Sequence, residues 1–175
     1  SFGSFTCWSS AGATFDIDNL HNKVCVPGGI QSGTCTDEEI AIFQKGLRDD
    51  RFVATIPMAG DGGGTDWHGN DGFSAAKIPV LMMSAEANPV GDDVLFNITN
   101  GVPLTWIELS GGCHDIFTSL GCPDQKDLNE SSWQTIHTYA LAFARKHVLG
   151  DTTAQVAGIL DGTTKVSDRI TFKKK

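Results

Sequence analysis

Two stretches of this chain are apolar almost without interruption, and both are short. IPVLMMS (78–84) and LTWIEL (104–109) are too brief for helices, and too poor in polar alternation for a sheet with one wet face. They predict strands buried on both sides, as in a parallel sheet. RFVATIPM (51–58) predicts a third such strand, followed by a loop over 59–71. Helical patterns fall between and after them. Thr36 and Glu39 form a capping box, Ile40, Phe43 and Leu47 make one face behind it, and Gly46 lies near the end. A second helix is expected near 89–98. The clearest spans 131–149: Ser131 with Gln134 as a capping box, Trp133, Ile136, Ala140, Phe143 and His147 at helical spacing, and Gly150 as the stop. Residues 4–13 are small and suit a closely packed helix, whereas 15–35 show no period and predict a surface excursion. The tail 151–175 fits either an added lobe or a strap over the body. Alternating strands and helices predict an α/β protein with a parallel sheet flanked by helices.

Composition narrows the class. At 175 residues, 40% hydrophobic and 19% charged, the chain reads as one globular unit. A net charge of −8 argues against a nucleic-acid or anionic-membrane partner, and Lys173-Lys174-Lys175 reads as a solvated tail. No apolar run approaches the roughly 18 residues that span a bilayer. Neither a leader-like segment nor a Met opens the chain, so residue 1 is not expected to be the translational start.

The cysteines point to an oxidising compartment. Cys25 and Cys35 flank one Gly/Pro-rich loop and Cys113 and Cys122 flank another, so disulfides 25–35 and 113–122 are expected, each contributing about 2–3 kcal/mol by loop closure. That implies a secreted or periplasmic protein. Cys7 is left as a buried apolar filler. With no C-x-x-C pair, zinc is not expected; the reading calls for no metal and no cofactor. Asn97-Ile98-Thr99 and Asn129-Glu130-Ser131 are sequons that permit glycosylation.

Ser1-Phe2-Gly3-Ser4 has the form of the right-hand half of a nucleophile elbow, G-x-S-x-G, in which glycines flank a serine on a sharp strand-to-helix turn. After the second apolar strand comes Ser84-Ala85-Glu86-Ala87-Asn88-Pro89-Val90-Gly91, and after the third comes Gly111-Gly112-Cys113-His114-Asp115. The order is nucleophile, acidic region, histidine. On these motifs, residues 1–150 resemble the C-terminal half of an α/β-hydrolase of the dienelactone-hydrolase or platelet-activating-factor-acetylhydrolase-like kind, with 151–175 as an extension. GGCHDIF resembles the family's catalytic-histidine loop, and WQTIHTYALAFARKHVLG its closing helix.

The resemblance implies a serine hydrolase acting on an ester, or on an amide or polyester, with Ser1 as nucleophile and His114 as general base. His21, His68, His137 and His147 lack a comparable context. The family's triad aspartate would fall at Asn88. Glu86 is therefore favoured as the acid, with Asn88 as an orienting partner and Asp92 or Asp61 as other choices. The oxyanion hole would include the backbone N–H of Phe2. Trp8, Trp67, Trp106 and Phe117 are candidates to line an apolar pocket.

The family's earlier strands are absent from these residues. The expectation is a precursor cleaved before Ser1, with the N-terminal fragment completing the sheet in a non-covalent heterodimer. Two rivals stand beside this reading. One is an N-terminal-nucleophile hydrolase using the Ser1 amine as base. The other is a decayed, secreted binding module whose Asp61–Asp71 loop holds calcium.

Overall fold

The computed structural model describes residues 2–29, 33–60, 64–87 and 91–175, with the Phe2 side chain left aside. The two apolar runs form its centre. β1 (Val80–Ala85) and β2 (Leu104–Leu109) pair in parallel from Val80 opposite Leu104 to Ala85 opposite Leu109. Successive side chains alternate between faces, so each strand feeds two cores. Leu81, Met83, Ala85, Ile107 and Leu109 face one way, while Val80, Met82, Leu104 and Trp106 face the other. Each large aliphatic side chain buried here contributes roughly 1.5–3 kcal/mol. Ser84, the polar residue within β1, is fully buried and accepts a hydrogen bond from Trp106 Nε1 at 2.8 Å.

The first expected strand is shorter than its apolar run. Phe52 N donates to Asp49 O in a turn, and only residues 55–59 lie beside β1. Thr55 N donates to Pro79 O, Leu81 N to Thr55 O, Met83 N to Pro57 O and Ala59 N to Met83 O, all at 2.9–3.0 Å. Pro57 has no N–H, so the rung that regular parallel pairing would place at its nitrogen is missing.

Helices cover both faces. α1 (Phe2–Ala11) and α5 (Asp92–Ile98) pack on the side of Met82 and Trp106, and α6 (Lys126–Leu149) and α7 (Ala154–Asp161) on the other. α6 begins five residues before the expected start. Ser131 lies inside it, donating to Leu128 O, so Ser131-Gln134 is no cap. The buried face is also rotated, running through Leu128, Ser132, Ile136, Tyr139 and Phe143. Gly150 ends the helix in the left-handed conformation, with its N–H bonded to Arg145 O.

The tail is part of the body. α7 packs on α6, and β3 (Ile170–Lys174) runs antiparallel along β2, with Ile107 opposite Phe172. The sheet is therefore mixed, in the order β1-β2-β3, within an α/β architecture. Lys173 and Lys174 belong to β3 rather than to a free tail, and Lys173 Nζ sits 4.5 Å from the Trp106 ring centroid. Lys175 follows directly, its N–H donating to Leu104 O.

The excursion expected over 15–35 carries helix. Asp16 caps α2 (Ile17–Asn19), which runs on as a π-helical turn, Leu20–Val24, up to Cys25. α3 (Asp37–Lys45) follows with the expected Thr36–Glu39 capping box, although Leu47 lies beyond its end and 40% exposed. The loop after Ala59 contains α4 (Gly64–His68). Leu20, Val24, Ile40 and Trp67 form a small core of their own, with Phe15 and Phe43 against it. Both expected disulfides are present, with Cα separations of 5.1 Å (Cys25–Cys35) and 5.7 Å (Cys113–Cys122). Cys7 is a free thiol and only half-buried.

Candidate functional site

Residues 55–59, β1 and β2 run the same way, so their carboxyl ends share one edge, where open parallel sheets bind ligands. α1 runs against them. Lys77 N donates to Ala11 O (2.9 Å) and Asp49 N to Ser10 O (3.2 Å), both ahead of the strands. Cys7 Sγ lies 4.0 Å from Ile56 O, midway up. The N-terminus of α1 therefore points toward the carboxyl edge of the sheet.

What leaves β2 at that edge is a tight loop turned back over β1. Glu86 N donates to Leu109 O and Ala87 N to Gly112 O, at 2.9 Å each. A Cβ on Gly112 would stand 3.1 Å from that of Ala85, and Gly111 has φ of 74°, so this crossing favours glycine twice. A single 3₁₀ turn, His114–Phe117, follows. It is braced from three directions. The Cys113–Cys122 bond closes it, Trp133 Nε1 on α6 donates to Ile116 O (3.0 Å), and Asn129, also on α6, clamps Cys122. The His114 side chain itself is exposed.

Among the expected carboxylates, Glu86 is exposed, and its Oε2 accepts from Gly111 N at 2.8 Å. That bond joins the turn after β1 to the loop carrying His114, so these two sequence-identified regions do meet. Beside them, burial pushes the Glu108 carboxyl up, with the Glu86 charge adding to the effect and Lys173 opposing it. Asp92 opens α5 and is 4% exposed. Ser1, Asn88 and Asp61 lie outside the described residues. Phe2 is the first residue of α1, where backbone N–H groups have no partner inside the helix.

The aromatic expectation is corrected. Trp8 and Trp106 are buried in the core between the sheet and α1, where they cannot line a pocket. Phe117 borders a shallow depression with Trp133 and His137 beside the His114 turn. Trp67 faces a different set of rings, Phe5, Phe15 and Phe43, around a groove between α1, α3 and α4. Those four come from four separate segments, which is why no motif announces them.

His68 also escaped the sequence reading. It is 2% exposed, packed between Phe15 (4.7 Å) and Phe73 (4.9 Å). Its Nδ1 lies 3.0 Å from Thr14 O. A carbonyl only accepts, so Nδ1 carries the hydrogen, and Nε2 has no partner among the described residues. Burial pushes its pKa down to about 4, keeping it neutral. Nearby, Asp66 faces Lys23 (3.6 Å) and Thr65 O accepts from Asn19 Nδ2, which engages two oxygens of the would-be calcium loop.

No family model matches the chain, and no curated protein matches it. Among the described residues, no helix is long and apolar enough to cross a membrane.

Proposed function

We propose that this chain is the C-terminal part of a secreted serine ester hydrolase of the α/β-hydrolase kind. One observation carries the reading: the N-terminal end of α1, the turn at Glu86 and the braced loop of His114 all belong to the carboxyl edge of the same parallel segments. That is where a nucleophile at a strand-to-helix turn, an acid and a loop histidine must converge.

In this reading Ser1 Oγ attacks the ester carbonyl carbon while the His114 imidazole takes its proton. The oxyanion accepts the N–H of Phe2 at the positive end of α1. Collapse breaks the bond to the alkoxy group, which leaves as the alcohol with the proton from His114. Water, deprotonated by His114, then attacks the acyl-Ser1 carbonyl, and His114 returns that proton to Ser1 Oγ as the acid leaves. Glu86 supplies the orienting charge, with Asn88 beside it. An amine-based N-terminal nucleophile fits less well, because those enzymes open a strand at that point and here a helix begins at Phe2.

The sheet also favours the expected partner. Among the described residues no strand pairs with the outer side of 55–57, and Phe52 and Val53 just before it are 49% and 52% exposed. A further parallel strand from an N-terminal fragment would cover them.

Treating the folded protein with a fluorophosphonate and mapping the adduct tests the chemistry. Labelling of Ser1 that disappears in Ser1→Ala and His114→Ala is expected. Folded protein that stays unlabelled would overturn the hydrolase. Intact mass of the natively purified protein tests the partner separately, since a single polypeptide would remove the heterodimer and leave the chemistry standing.

A further inference from the structure

We infer that the groove between α1, α3 and α4 binds the aryl group of a neutral ester, an inference that rests on the hydrolase reading above. Phe5, Phe15, Phe43 and Trp67 wall the groove, which measures about 260 Å³. Ring centroids are 6.4 Å apart for Phe5–Trp67, 6.0 Å for Phe43–Trp67 and 4.8 Å for Phe15–Phe43. Phe15 and Phe43 are half-buried, so part of each ring faces the groove. Aromatic guests gain from such surroundings about 0.5–1.5 kcal/mol per ring contact beyond burial alone.

Size and charge narrow the guest. An apolar cavity of roughly 150 Å³ takes a benzene molecule. This groove therefore has room for one ring and a short ester group. Among the described residues no charged side chain lines it, in a chain of net charge −8. Its polar groups are the hydroxyls of Thr6, Ser9 and Ser10. A carboxylate entering it would lose water and meet no cation among these described residues, so the neutral ester is preferred over its acid.

Placement supplies the link to the chemistry. Phe5, Thr6, Ser9 and Ser10 occupy successive turns of one face of α1, and Phe5 follows its first residue, Phe2, by three, a rise of about 4.5 Å. The groove thus leads along α1 to the end where the acyl-enzyme would form. Its opposite wall is made by Phe15, Phe43, Leu47 and Trp67, of which the three aromatic residues belong to the small core around Trp67 rather than to the two sheet cores.

Calorimetric titration of the full chain with 4-phenylbutan-2-one, the non-hydrolysable ketone isostere of benzyl acetate, tests this, with 3-phenylpropanoate as the anionic control. Saturable ketone binding, about tenfold or more tighter than the anion, is expected, a difference of roughly 1.4 kcal/mol. Ser10→Phe, which fills the groove, and Phe43→Ala, which removes a wall, should each weaken binding about tenfold, while Leu141→Ser on the exposed face of α6 leaves it unchanged. No saturable binding, equal affinity for the acid, or wild-type affinity in Ser10→Phe would overturn the inference. The two readings fail separately. Ketone binding without Ser1 labelling keeps the groove and removes the hydrolase; labelling without ketone binding does the reverse.

Discussion

Asn129 closes around Cys122 from both sides: its Oδ1 accepts from Cys122 N at 2.7 Å, and its Nδ2 donates to Cys122 O at 2.9 Å. The amide is 8% exposed and fully engaged, so the sequon at 129 cannot carry a glycan in the folded protein. Asn129→Ala leaves a buried N–H and C=O without partners, and a loss of about 2–3 kcal/mol is expected from urea unfolding. Hydrogen exchange at residues 113–118 should quicken in the same variant. Unchanged stability would mean that water replaces the clamp.

Acid should weaken the fold through His68. Its folded pKa is about 4 against an ordinary 6.5, so the unfolded chain takes up the proton first as pH falls. The stabilisation is complete above pH 6.5, declines between 6.5 and 4, and is gone below. A shift of that size is worth about 3 kcal/mol. His68→Phe should flatten the urea midpoint across this window whatever it does at pH 7. A wild-type midpoint that does not move between pH 7 and pH 4 would contradict the buried neutral imidazole.

Lys175 Nζ donates to the carbonyls of Phe96, Asn97 and Thr99, capping the negative end of α5. Lys175→Met keeps the aliphatic stem and removes the charge, and should cost about 1 kcal/mol in thermal or urea unfolding. Its salt dependence separates charge from packing, because only the wild type should lose the difference at high ionic strength.

Glu86 has a structural bond and a proposed catalytic charge, and one substitution divides them. Glu86→Gln can still accept from Gly111 N, so stability should hold while ester turnover falls by about 10³–10⁴ if the carboxylate stabilises the imidazolium. Glu86→Ala loses the turn as well. Full turnover in Glu86→Gln would move the orienting role to Asn88 or Asp92.

The strands expected at 78–84 and 104–109, found at Val80–Ala85 and Leu104–Leu109, were legible because burial on both faces leaves almost no polar residue to blur the run. The segment 51–58 has the same composition, but Pro57 interrupts its pairing and Asp49 diverts its start into a turn. β3 was hidden by its lysines, although Ile170 and Phe172 keep the two-residue period beneath them. The stretch 15–35 was read as without period because Ile17, Leu20 and Val24, which do stand at helical spacing, are too few to outweigh its turn formers, and the partners that bury them lie in α3 and α4.

The loop of His114 could be found because glycines, a cysteine and a histidine crowd into one short stretch. Its braces could not. Trp133 reads as one more apolar position on α6, and Asn129 reads as part of a sequon. The aromatic groove left no trace in any single segment. His68 looked like a loop histidine because nothing beside it in sequence reveals how completely Phe15 and Phe73 enclose it.

β3 gives the sheet two unlike flanks. One ends in a strand carrying Lys173 and Lys174, where a like-charged neighbour is repelled; the other ends in the uncharged segment 55–57, whose Ile56 side chain packs on the core. Where the proposed N-terminal fragment leaves that second flank bare, self-association in concentrated solution would start there and stop at a pair rather than extend into a fibre.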